Sequence, residues 1–290
     1  MVLRHIMNTL GSSPRTARNL SQEEACRAFA SILSGAESDI LVATFLTTLR
    51  WKGVTEEELA GFALAARERA DIPCFGMPDL LCVSATLDGQ VDFPPLDAAA
   101  GMIAAGAGQK ILLLSDKGTP PRRGLTAAHI LSELGASMTW DPREAETWVE
   151  NVGFAVLAVS GVLPSLIPLR RVRGEMLLRS PLATIEKLLA PSTASVLLGA
   201  QHGPVLGAAI EVVKRLDHPR GIVLQGEGGG VIPYVRRRTK GIELNEGFLA
   251  RLTVEPADFG LQCPQEPELP MYGPPEEGQG PEDNAALVHA

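Results

Sequence analysis

Three short basic runs carry most of the chemistry legible in this chain: Lys117, Arg122 and Arg123 in KGTPPRR; Arg170, Arg171 and Arg173 in RRVR; Arg236, Arg237, Arg238 and Lys240 in RRRTK. Cations grouped in this way make phosphate contacts, each adding sequence-independent, salt-dependent affinity through counterion release. A solvated charged face is the plainer reading of any one run. Aromatic interleaving is limited to Tyr234, so stacking on single-stranded bases has little support. Gly226, Gly228, Gly229 and Gly230 in GEGGG form either a backbone nest for an anion or a tight loop. Asp88 and Gly89 lie in SATLDGQVDFPPLD, just after an apolar run, where the strand-end crevice of an α/β sheet holds its ligands. That loop is poor in glycine and hydroxyl groups, and its two prolines have no N–H to donate.

Other catalytic arrangements are not apparent. No Ser-His-Asp or Cys-His set stands out by spacing. His129 falls on a mostly apolar helical run and reads as a packed residue; His202 and His218 read as turn and cap residues. Cys26, Cys74, Cys82 and Cys263 contain no CxxC pair, so neither a disulfide framework nor a zinc site is expected.

The elements that must position these groups come in two kinds. SQEEACRAFASILSG opens on a capping box, Ser21 with Glu24, and stops at Gly35; TEEELAGFALAARERA repeats the box at Thr55 and Glu58. Between them, SDILVATFLTTLRWKG is apolar on nearly every side, as expected of a buried central helix or one covered by a partner chain. After DIPCFGMPD the period changes. The runs LLCVSA, ILLLS, FAVLAVS, SVLLGA and GIVLQG alternate with helical stretches, which predicts a parallel sheet with βαβ crossovers. The insertion LPSLIPLRRVRGEMLLRSPLATIEKLLAP reads as helices returning to the first subdomain.

With 290 residues and 45% hydrophobic content, the chain has ample material for a packed core. Its net charge of -8 is concentrated at one end: eight acids and no Lys or Arg follow from Glu255 onward, so the remainder is balanced. No apolar run approaches the ~20 residues needed to cross a bilayer. With no signal-peptide pattern at the start either, a cytoplasmic location is expected.

LSQEEACRAFASILSGAESDILVATFLTTLRWKGVTEEELAGFALA closely resembles the N-terminal helical domain of the anthranilate phosphoribosyltransferase and pyrimidine-nucleoside phosphorylase superfamily, on the signals ILSGAESD, FLTTLRWKG and TEEELAG. VEPADFGL and GPEDNAAL resemble later segments of the same family. The resemblance implies a helical domain plus an α/β domain, a dimer built through the helical domain, and a phosphorylated sugar held between the two.

It also implies losses. The family's Gly-Thr-Gly-Gly-Asp-Gly loop, which cradles a pyrophosphate, falls on Ser84, Ala85, Thr86, Leu87, Asp88 and Gly89, of which only the last two match. The following Asn-x-Ser-Thr falls on Pro94, Pro95, Leu96 and Asp97, and Lys-His-Gly-Asn-Arg falls on Leu113, Leu114, Ser115, Asp116 and Lys117. The acidic pair that holds magnesium falls on Gly229 and Gly230, so no cofactor is expected. Arg173 matches the arginine that contacts an aromatic acid acceptor, while a nearby family Asn is Ala183. LGSSPRTARNLSQEEA, LRRVRGEMLLRSPLATIEKLLAP and LQGEGGG look most like a divergent branch that keeps the fold, lacks the phosphoribosyl pyrophosphate motifs and includes a nucleic-acid binder.

The expected architecture is α/β: an N-terminal helical-bundle domain (1–74, with 162–191 returning to it) plus a mostly parallel sheet flanked by helices (75–262), then an acidic Pro/Gly-rich tail (263–290). The leading expectation is a homodimer, joined through the N-terminal helices, that binds a polyanion such as nucleic acid, or a phosphorylated ligand, in the interdomain cleft. An active pentosyltransferase on another phosphosugar or nucleoside, contacting it through Arg173, Lys117 and Asp88, is the alternative. A purely structural partner of another protein is the third reading.

Overall fold

The computed structural model describes residues 2–10, 18–72, 75–201 and 203–261; Cys74, His202, Cys263, the GPEDNAAL segment and the expected tail lie outside them. Four helices open the chain: α1 (Val2–Leu10), α2 (Gln22–Leu33), α3 (Asp39–Lys52) and α4 (Glu56–Arg67). Both expected capping boxes form, at Ser21 with Glu24 and at Thr55 with Glu58. The first helix adds to the three read from sequence; its Leu3, Ile6 and Leu10, at helical spacing, are buried.

Phe62 centres the helical layer, with its ring 5.7 Å from Phe29 and edge-on to Phe45 at 6.0 Å. Such tilted pairs add about 1 kcal/mol beyond area burial. Gly61 allows the backbones of α2 and α4 to close on one another, because a Cβ there would meet the Gln22 carbonyl and Ala25. Glu58 is fully buried, and its carboxylate accepts from Leu20 N (2.8 Å), Thr55 N (3.0 Å) and Lys52 Nζ (2.8 Å). It therefore joins the chain entering α2 to the α3–α4 turn.

The second layer follows in the order β1 (Leu80–Ser84), α5 (Asp97–Gly106), β2 (Lys110–Ser115), α6 (Ala127–Glu133), α7 (Pro142–Val152) and β3 (Phe154–Ala158). Then come α8 (Val159–Val162), α9 (Leu166–Met176), α10 (Leu182–Ile185), β4 (Ser195–Gly199), α11 (Gly203–Arg215), β5 (Arg220–Leu224), β6 (Thr239–Asn245) and β7 (Phe248–Val254). The sheet runs β3-β2-β1-β4-β5-β6-β7, parallel through β5 and antiparallel thereafter. The β6–β7 hairpin adds two strands to the five read from the apolar runs. Its turn residues Glu246 and Gly247 both take positive φ, 48° and 82°, as a two-residue hairpin turn requires.

The insertion after β3 reaches the helical layer, with α9 against α3 and α10 against α4. Arg67 at the end of α4 fixes the far end of that insertion, donating to Leu188 O (2.8 Å), Ala190 O (2.7 Å) and Ser192 Oγ (2.5 Å). Chain order reverses between β1 and β4, and at that switch point the crevice beyond the strand ends faces the helices. Among the described residues no helix is long and apolar enough to cross a membrane.

Breaking a buried ion pair by removing one partner costs about 3–5 kcal/mol. Glu58→Ala is expected to lose about 3 kcal/mol in urea unfolding, whereas exposed Glu57→Ala should stay within about 0.5 kcal/mol. Equal effects would show that the Glu58 network does not hold the helical layer together.

Candidate anion site at the interdomain cleft

A cleft of ≈ 140 Å³ opens at the switch point, with Leu49, Val54 and Leu59 on the helical side, Val205 and Ala208 on α11, and a polar end at Asp88, Arg179 and Lys187. Arg179 sits in the link between α9 and α10. Leu177 ends α9 in the left-handed conformation, φ 55°, two residues before it. Its Nε and Nη2 each donate to Asp88, at 2.6 Å, in a two-pronged fork. Its Nη1 donates to Gln201 Oε1 (3.2 Å) and Gly228 O (3.4 Å). One side chain thus ties together the loops that follow β1, β4 and β5.

Asp88 is held by its own loop as well. Gly89 has φ 79° and lies so close to Gly124 that any Cβ would overlap that backbone. The flanking bonds run from Gly124 N to Asp88 O (2.9 Å) and from Gln90 N to Leu125 O (2.7 Å). This close approach is the local reason for a glycine after Asp88. Gln90 Nε2 continues the network to Thr86 Oγ1 (3.1 Å) and Glu227 O (3.2 Å).

Lys187 is buried, and its Nζ donates to Gly199 O (2.6 Å) and Gly229 O (3.4 Å). Burial, and then the charge of Arg179, bring its pKa down to about 8. Next to it, Glu186 accepts from Arg173 Nη1 at 2.5 Å, and burial pushes its carboxyl above the usual range.

The residues singled out from sequence divide as follows. Asp88 and Gly89 are in the site. Arg173 is 1% exposed and paired with Glu186, so it faces an internal acid rather than a ligand anion; the arginine on the cleft wall is Arg179. Arg170 pairs with Asp116 at 3.0 Å, and Asp116 also accepts from Ser160 N and Oγ. Arg171 pairs with Asp39, and Arg122 with Asp92 at 3.3 Å. Lys117 and Arg123 are exposed and make no ion pair among the described residues. The Arg123 guanidinium lies beside Gly174 of α9, so the KGTPPRR loop packs next to the helix that carries RRVR. RRRTK runs from the β5–β6 connection into β6, with Arg237 stacked on Tyr234 at 3.9 Å, Arg238 paired with Glu255 at 2.9 Å, and Arg237 and Arg236 near enough to Glu227 of the glycine loop to favour its charge.

Gly226, Gly228, Gly229 and Gly230 lie in the loop that follows β5. The N–H groups of Glu227, Gly229 and Gly230 donate within the loop, to Ile232 O, Gly226 O and Glu227 O. The carbonyls of Gly228 and Gly229 face Arg179 and Lys187. The loop therefore turns two carbonyls toward cations and spends three of its N–H groups within itself. His129 caps α6, its Nδ1 accepting from Thr126 N (3.2 Å), and is half-buried rather than packed in the core. Arg179, Lys187, Gln90 and Gln201 are site residues that sequence reasoning missed. Only Arg179 had a nearby signal, the basic run that ends six residues before it.

The chain matches the glycosyl transferase family helical bundle domain over residues 4–70 and the glycosyl transferase family a/b domain over residues 91–285. It is 31% identical over 251 residues to an anthranilate phosphoribosyltransferase from Exiguobacterium sibiricum, covering 84% of this chain and 72% of the relative. An uncharacterized protein of Aquifex aeolicus is 29% identical over 256 residues, covering 86% of this chain and 75% of that protein. The anthranilate phosphoribosyltransferase structure from Thermus thermophilus shares the fold, with a TM-score of 0.78 at 23% identity, over 99% of this chain and 80% of that one.

Lys187 provides a test of the site through pH. Its folded pKa of about 8 lies below the ordinary lysine value of about 10.4, so the folded chain binds fewer protons between those limits and stability rises with pH across that window. Urea unfolding at pH 8 and pH 10 is expected to show the parent chain gaining stability relative to Lys187→Met. A pH-independent difference would mean that this amine does not titrate there.

Proposed function

The chain belongs to the glycosyl transferase family, in its anthranilate phosphoribosyltransferase-like form, and from that premise we propose that it has given up phosphoribosyl transfer and binds a polyanion, nucleic acid in kind. The binding surface in this reading is the basic rim of the interdomain cleft. The cleft walls are formed by Leu49, Val54, Leu59, Val205 and Ala208, with the cations gathered at one end, so the expected contact is at the mouth.

The observation that carries the reading is the Arg179–Asp88 fork. It fills the strand-end crevice with the chain's own ion pair, while Lys117 and Arg123 stay exposed in the loop whose Thr119 and Gly124 N–H groups bond to the Asp88 turn. A diphosphate would need backbone donors there, and in the glycine loop the N–H groups of Glu227, Gly229 and Gly230 are spent within the loop. Magnesium fits no better. Gly229 and Gly230 supply no carboxylate, and the Lys187 ammonium lies against the Gly229 carbonyl, where it would repel a divalent cation. The cleft itself favours a second reading, a pentosyltransferase for another phosphosugar or nucleoside, because apolar walls with a cationic end suit a small ligand.

We also propose a homodimer through α3. Ile40, Thr44, Thr47 and Trp51 fall on one stripe of that helix, and Ile40 and Trp51 are 81% and 79% exposed. Large apolar side chains left bare on a helix that is apolar nearly all round are what a covered interface requires. Ile40→Glu with Trp51→Glu is expected to convert a dimer to a monomer in sedimentation velocity; a monomeric parent chain would contradict the proposal.

Fluorescence anisotropy with a labelled 20-nucleotide strand tests the polyanion reading. Affinity should fall steeply with salt, and Lys117→Glu with Arg123→Glu should weaken it about tenfold or more at low salt. Unchanged affinity would remove the rim from the account.

A further inference from the structure

We infer that Lys187 is a nucleophilic amine, and that the cleft admits an apolar aldehyde or ketone, which Lys187 captures as an imine. The inference goes beyond the polyanion reading and uses none of the exposed cations.

Lys187 is 6% exposed, yet it lines the cleft, as do the two glycines whose carbonyls hold its Nζ, Gly199 at 2.6 Å and Gly229 at 3.4 Å. Two acceptors match the two N–H bonds of a neutral amine and leave its lone pair a third direction; an ammonium would bring a third N–H to satisfy. No carboxylate pairs with this side chain among the described residues, because Asp88 is taken up by Arg179 and Glu186 by Arg173. Instead a guanidinium lies close by, with Arg179 donating to the preceding carbonyl of the same loop, Gly228 O, at 3.4 Å. Burial and this like charge both favour the neutral form, the usual route to a reactive lysine. With a pKa of about 8, about one-tenth of the amine is neutral at pH 7, against less than about a thousandth for an ordinary lysine.

The rest of the lining suits a carbonyl compound. Leu49, Val54, Leu59, Val205 and Ala208 offer apolar walls to its body. Two lining residues, Ser180 and Glu186, each carry a buried polar atom without a partner, Ser180 Oγ and Glu186 Oε2. Buried polar atoms are ordinarily satisfied, so these two mark where a ligand's oxygen is received. Burial pushes the Glu186 carboxyl above its usual range, toward the form that carries a proton. In the capture, the Nζ lone pair forms the N–C bond and the carbonyl π pair moves to oxygen. Both amine hydrogens end on that oxygen, passed by Ser180 and Glu186, and it leaves as water when the nitrogen lone pair closes the C=N bond. Amine and aldehyde thus give imine and water, with nothing oxidised or reduced and no co-reactant.

The test treats the full chain with benzaldehyde and then sodium borohydride, which fixes an imine as a secondary amine, and locates the labelled lysines by peptide mass spectrometry. At pH 7 Lys187 should label about tenfold or more faster than exposed Lys117. Its rate should level off above about pH 8, while that of Lys117 should keep rising toward about pH 10. Ala208→Phe, which narrows the cleft, should slow labelling of Lys187 and leave Lys117 unchanged; Glu186→Gln should slow the approach to the imine without moving the pH at which the rate levels. Glyceraldehyde, a polar probe, should show no preference for Lys187. Labelling of Lys187 no faster than Lys117 in the parent chain overturns the inference, whatever the variants do. An equal preference for glyceraldehyde overturns the assignment to apolar carbonyl compounds, and a rate untouched by Ala208→Phe overturns entry through the cleft.

Discussion

The fork between Arg179 and Asp88 is the constraint on which the rest of the site depends. A buried carboxylate is costly unless its charge is matched and its lone pairs are filled, and Arg179 does both with two short bonds. The same guanidinium reaches Gln201 and Gly228, so the loops beyond β1, β4 and β5 hold a single relative position. Because Arg179 is delivered by the insertion, and the insertion is fixed to α4 by Arg67, the helical layer sets the geometry of the sheet's crevice.

Around that fork, charge is largely neutralised from within. Arg173 is matched by Glu186, Arg170 by Asp116, Arg171 by Asp39 and Arg122 by Asp92. A count of arginines in sequence overstates what a ligand would meet, since buried cations are tolerated mainly when paired. What remains toward solvent is a narrower set that includes Arg50 on the cleft lining, and Lys117 and Arg123 in the KGTPPRR loop. Lys187 completes the cationic side, placing an ammonium among backbone carbonyls.

The parts of this architecture legible in sequence are those set by short-range physics. Ser21 with Glu24 and Thr55 with Glu58 announce their helices because each box closes within four residues. The parallel strands announce themselves as apolar runs because both faces are covered. The β6–β7 hairpin escaped that reading because alternation in β7, an exposed edge strand, is weak. The site residues were hidden for a different reason. Arg179 turns toward Asp88 only because Leu177, a residue with no special preference for positive φ, ends α9 there. Arg173 meets Glu186 only after two helices pack together. The glycine loop kept the composition of an anion nest, and the direction of its N–H groups is a tertiary fact.

The central claim is that the chain's own cations and carboxylate have taken the place of a metal-bound diphosphate. Calorimetric titration of phosphoribosyl pyrophosphate into the full chain, once with magnesium and once with EDTA, tests it most directly. The account predicts the same weak, millimolar-range isotherm in both. A micromolar isotherm that appears only with magnesium would contradict it.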